Sequence, residues 1–141
     1  MDFKNIHIGK VISQRVKESE IKTVRICNFF KCTEEEIVMM YEAENLYPDI
    51  ILKWCKLLKY DFFRLYSQHL MLYAPVSKED SLNLRKKESS LPYFRKSIYS
   101  TEVIDFIIEL IKTGAKTKKQ VIEEYNIPKA TLYKWTQKYD K

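Results

Sequence analysis

Between residues 112 and 141 the chain holds eight lysines against three acidic side chains, the steepest excess in a sequence whose net charge is +6. Ammonium groups at that density attract a polyanion. Lys129 and Lys134 can reach either phosphates or guanine edges, and Ala130 between them is small enough for close approach or for contact with a thymine methyl. Further back, Thr117, Lys118 and Lys119 stand where a helix starts, so backbone amides and ammonium groups can hold phosphate together. With Thr131, Tyr133 and Lys138 these residues form the candidate set for double-stranded DNA. Only Glu123 and Glu124 oppose it nearby.

Other chemistries find no residues to carry them. The acidic side chains fall on polar helix faces beside lysines, where solvated charge belongs. No phosphate-cradling glycine loop, nucleophile elbow or H-E-x-x-H helix occurs. Cys27, Cys32 and Cys55 lack a C-x-x-C spacing and sit among apolar residues at a helical phase, so they are read as reduced core thiols. His7 and His69 stand alone in sequence, short of a metal-binding set. No catalytic residue, metal, cofactor or small-molecule substrate is expected, and the chain is read as a non-enzyme. The first residues carry charge with no apolar stretch behind them, and no apolar run approaches the ~20 residues of a membrane span. A cytoplasmic protein without membrane contact is expected.

What must position the lysines is helical. Two glycines and four prolines leave little for the tight turns of β structure, while 45% hydrophobic and 13% aromatic residues suffice for a core. Apolar spacing predicts a helix over about 6–18, with Ile8, Val11, Ile12 and Val16 on one face. Ile21, Val24, Cys27 and Phe30 supply a second. Thr33 with Glu36 forms a capping box for a third, ending at Asn45, and Pro48 with Asp49 opens a fourth. The stretch 60–73 is too apolar around its circumference to stand alone as a surface helix. After Ala74-Pro75, residues 75–99 show mixed charge and no sustained period, and are read as a basic linker with six basic and three acidic side chains. Three short helices follow: 102–112, with Gly114 as a stop; 118–125, capped by Thr117 and closed by Asn126; and 128–139, opened by Pro128. The expectation is an all-α chain of two small domains. A five-helix bundle spans 1–74, a linker 75–99, and a three-helix domain 100–141.

The last two helices have the layout of a helix-turn-helix. Val121, Ile122, Ile127, Leu132 and Trp135 form an inner set, and Lys129, Ala130, Tyr133, Lys134 and Gln137 point outward from the helix that would enter the major groove. The stretch TKKQVIEEYNIPKATLYKWTQKY, within 101–139, resembles the helix-turn-helix of bacterial insertion-sequence transposases, especially the small upstream subunit of elements that split the transposase into two frames. Ile127 through Trp135 is its most specific part. Pro128 replaces the family's usual serine cap. The resemblance implies sequence-specific binding of DNA by a non-catalytic accessory subunit or a transcriptional regulator.

Ile8-Gly9 through Leu58 more distantly resembles the five-helix domain of phage repressors and Cro proteins, through Ile12 and Arg15, Ile26-Cys27, Thr33 and Leu57-Leu58. Here Lys31 replaces the turn glycine, and Glu34-Glu35-Glu36 would set carboxylates against phosphates. This half is therefore read as a scaffold or dimerisation domain. Phe62, Phe63, Tyr66 and Leu70 are either core of the fifth helix or a homodimer seam. The alternative for the whole chain is a protein-interaction adaptor that keeps the helix-turn-helix shape without binding DNA, its three glutamates facing a basic partner.

Overall fold

The structure, a computed structural model, describes residues 1–86, 88–94 and 97–139. Lys87, Arg95 and Lys96 of the expected linker lie outside the described residues, as do Asp140 and Lys141 at the expected end of the C-terminal domain. Among the described residues every regular element is an α-helix. In order these are α1 (Ile8–Ser19), α2 (Thr23–Phe30), α3 (Glu34–Glu42), α4 (Pro48–Leu58), α5 (Phe63–Tyr73), α6 (Lys78–Lys86), α7 (Thr101–Lys112), α8 (Lys118–Tyr125) and α9 (Lys129–Tyr139). None of them is long and apolar enough to cross a membrane. The chain divides into two compact units, Asp2–Tyr66 and Ser67–Lys141, with the division inside α5.

In the first unit α1 packs on α3 and α4, and α2 on the same two helices. Ile8, Ile12, Ile26, Ile37, Trp54 and Phe62 are the centre of its core. Trp54 is fully buried between the rings of Phe30 and Tyr41, at 4.6 and 5.9 Å between centroids. Gly9 is the one position where close approach demands a glycine: a Cβ there would collide with the carbonyl oxygens of Met40, Tyr41 and Ala43. The close approach lets the amides of Ile8 and Gly9, which a helix start leaves unpaired, donate to the carbonyls of Glu44 and Ala43 at 3.1 Å each. His7 completes the α1 start, its Nδ1 accepting from the Lys10 amide at 3.1 Å. The Thr33 capping box forms as its spacing predicts, with Thr33 Oγ1 accepting from the Glu36 amide and the Glu36 carboxylate from the Thr33 amide. The three cysteines are free thiols, each half-buried.

In the second unit α7 and α8 both pack on α9. Val103, Ile107, Val121, Ile127 and Leu132 are buried to 2% or less, and each fully buried aliphatic side chain contributes roughly 1.5–3 kcal/mol. Part of the segment read as linker is helical: α6 runs from Lys78 to Lys86, opened by Ser77, whose Oγ accepts from the Asp80 amide at 3.0 Å. Leu82 and Leu84 remain exposed on it, so no buried stripe marks it in the sequence. The start of α7 is held from α5. Buried Gln68 donates from Nε2 to the Ile98 carbonyl at 2.6 Å and accepts through Oε1 from the Ser100 amide at 2.9 Å. Ser100 in turn caps α7, accepting from the Val103 amide.

Candidate nucleic-acid interface

Two helices and the turn between them build the surface. Thr117 opens α8 with a capping box, accepting at Oγ1 from the Gln120 amide while the Gln120 side chain accepts from the Thr117 amide. Accepting at the helix start leaves the Thr117 O–H available to donate to a ligand. Asn126 ends α8 in the left-handed region at φ 52°, a conformation asparagine tolerates, and its Nδ2 donates to the Val76 carbonyl. Buried Ile127 then drops into the core, and Pro128 stands just before α9, its carbonyl accepting from the Leu132 amide at 3.1 Å. The sequence expectation placed Pro128 inside the helix; it occupies the cap position instead. Proline brings no side-chain acceptor there, so the first amides of α9 have no capping oxygen from that residue.

α9 divides along its length. Leu132, Trp135 and Thr136 are buried, whereas Lys129, Ala130, Tyr133, Lys134, Gln137 and Lys138 are exposed and Thr131 is half-buried. Trp135 is seated by Tyr99, whose ring meets it edge-on at 4.9 Å, and burial raises the Tyr99 phenol above its ordinary range. Thr136 bonds back to the Tyr133 carbonyl, turning its hydroxyl away from solvent. With Leu132 and Trp135 fixed beneath, the lysines and Ala130 can face only outward.

The lysines are not equivalent. Lys118 of α8 and Lys129 of α9 converge on one ring, their Nζ atoms 5.2 and 5.7 Å from the centroid of Tyr133. Lys138 lies over its neighbour Tyr139 at 5.3 Å. Lys119 and Lys134 stand exposed. None of these five forms an ion pair among the described residues. Lys116 does: it is bonded to Glu124, which holds its ammonium charged beyond the usual lysine range and neutralises one of the two nearby carboxylates. On α7, Glu102, Asp105 and Glu109 are exposed on the polar side of that helix. Within this unit α7 thus exposes three acids, while α8 and α9 carry the five unpaired ammonium groups, with Glu123 of α8 an exposed carboxylate on the same pair of helices.

The expected seam at Phe62, Phe63, Tyr66 and Leu70 is split by the structure. Phe62 is fully buried in the first unit, 4.8 Å from the Tyr60 ring, and as core it has no surface to offer a second copy. Phe63 and Tyr66 are half-buried, and burial raises the Tyr66 phenol. Leu70 is 58% exposed. Among the described residues no three His, Cys, Asp or Glu side chains gather in a geometry for a metal ion.

Sequence reasoning missed Gln68 and Tyr99, which seat the helix-turn-helix without facing a ligand. It also missed the pairing of Lys118 with Lys129, which only the tertiary packing reveals. A family model described as the helix-turn-helix domain of resolvase matches residues 95–138. The match begins before α7 and ends within α9, so it takes in Tyr99, the Ser100 cap and the whole turn. Curated proteins and solved structures yield no significant match to the chain. The C-terminal part of this protein is a helix-turn-helix domain.

Proposed function

We propose that the protein binds double-stranded DNA sequence-specifically through α8 and α9, with α9 in the major groove and α8 against the backbone. It acts without catalysis, either as an accessory subunit of the insertion-sequence transposase type or as a transcriptional regulator, in the cytoplasm. The observation that carries this reading is the outward row of α9. Lys129, Ala130, Tyr133 and Lys134 are exposed, unpaired by any carboxylate among the described residues, and held outward by buried Leu132 and Trp135. The match to the resolvase helix-turn-helix supports it. On this reading the first unit, Asp2–Tyr66, is a repressor-like scaffold, the second carries the reading head of 100–141, and two copies pair through Phe63, Tyr66 and Leu70 of α5. Paired half-sites raise effective affinity.

Selection of the intact protein against random duplexes tests the reading. One enriched sequence motif is expected, and its loss is expected in the variant Lys129→Ala with Lys134→Ala. Enrichment that survives that double variant would move the reading surface elsewhere. A second reading rests on α3, which exposes Glu34 and Glu35 beside Val38 and Met39, a surface suited to a basic partner protein. It predicts no salt-dependent retention of any duplex.

A further inference from the structure

Lys118 and Lys129 belong to different helices, carry like charge and repel one another, yet both ammonium groups lie over the same ring. A Tyr face attracts a cation through its quadrupole, by an amount comparable to what such a repulsion costs at a wet surface. Among the described residues no carboxylate is paired with either lysine: Glu124 is occupied by Lys116, and Glu123 makes no ion pair. Tyr133 itself is 41% exposed, so the ring and both ammonium groups are open to an anion arriving from solvent. Two like charges gathered from two elements, without a counter-ion, make a site of the kind an external phosphate completes.

Resting on the reading of α8 and α9 as a DNA-binding pair, we propose that Lys118 and Lys129, drawn together by Tyr133, form one phosphate clamp bridging the two helices. Tyr133 acts as a positioning residue whose ring, rather than its hydroxyl, sets the spacing of the ammonium groups. Sequence readout is left to the residues beside the clamp, Ala130 and Lys134. The clamp fixes the register of α9 on the duplex, because phosphate contacts orient a reading helix without carrying sequence information.

The test measures duplex affinity of the full-length protein against salt, on a selected site and on an unrelated duplex, for the wild type and four variants. Removing both lysines, as Lys118→Ala with Lys129→Ala, is expected to flatten the dependence of log K on log salt by about 0.9, the contribution of the one phosphate that the clamp would no longer neutralise. Tyr133→Phe keeps the ring and should match the wild type. Tyr133→Leu, at an exposed position that leaves the core intact, should weaken both duplexes alike and flatten the slope toward the double-lysine value. Lys134→Ala should instead narrow the gap between the selected and unrelated duplexes. Equal damage from Tyr133→Phe and Tyr133→Leu would overturn the positioning role in favour of the hydroxyl. An unchanged slope in the double-lysine variant, with wild-type binding intact, would overturn the clamp while leaving the DNA reading in place. Absence of any salt-dependent binding by the wild type would overturn that reading, and the clamp with it.

Discussion

The pairs α2–α3 and α8–α9 use the same backbone device for opposite ends. Each opens with an eight-residue helix that stops at a left-handed residue, Lys31 at φ 54° in one and Asn126 at φ 52° in the other, followed by two more residues before the next helix. What differs is the chemistry at the second helix start. On α3 the amides meet the Thr33 hydroxyl, the Glu36 carboxylate reaches back to the Thr33 amide, and Glu34 and Glu35 occupy the first turn. That end is already satisfied and negatively charged, so a phosphate gains nothing there. On α9 the cap position is Pro128, and Lys129 follows. The same turn thus leads into a capped, acidic helix start in one pair and, in the other, into a start with proline at the cap and a lysine after it.

One core substitution in each unit has the largest expected effect and shows whether the two units stand independently. Leu132→Ala removes a fully buried side chain from beneath α9 and should lower stability of the second unit by about 2–5 kcal/mol, abolishing duplex retention. Gly9→Ala forces a methyl onto three carbonyl oxygens and should damage the first unit by about 3 kcal/mol while duplex retention persists. Calorimetry separates the two, since each variant should lower a different transition; a single shared transition in both would show that the units melt as one.

A smaller loss is expected at the Gln68 tether, which holds the start of α7 in the second unit. Gln68→Ala leaves the Ile98 carbonyl and the Ser100 amide without their partner, at a cost of about 1–3 kcal/mol. Hydrogen exchange should quicken at the start of α7, and no change there would mean water replaces the amide at little cost. Smaller still, the two capping boxes should behave alike despite their opposite surroundings. Thr33→Ala and Thr117→Ala should each cost about 1 kcal/mol by denaturant titration. A much larger loss at Thr33 would mean that its cap also restrains the neighbouring glutamates.

Much of this was legible in one dimension because caps and apolar spacing are local signals. Thr33 announces its helix through Glu36, Thr117 announces its own as a cap before an apolar period, and Leu132 and Trp135 declare the inner face of α9 by periodicity. α6 escaped because it exposes Leu82 and Leu84 and shows no buried stripe. Gln68 escaped for a different reason: its partners lie 30 and 32 residues away, and nothing in an apolar helix marks one amide as a clamp. Phe62 reads equally well as seam or core until packing is known. Tyr133 reads as one more outward residue until the positions of Lys118 and Lys129 around it are seen.

The most direct test of the contrast compares two neutralisations in the full-length protein by titrating duplex affinity across a salt series. Lys129→Ala with Lys134→Ala should weaken binding and flatten the slope of log K against log salt by about 1–2, whereas Glu34→Gln with Glu35→Gln should leave both affinity and slope at the wild-type values. The reverse pattern, with the lysine pair silent and the glutamate pair altering the slope, would place the nucleic-acid surface on α3 and contradict the account.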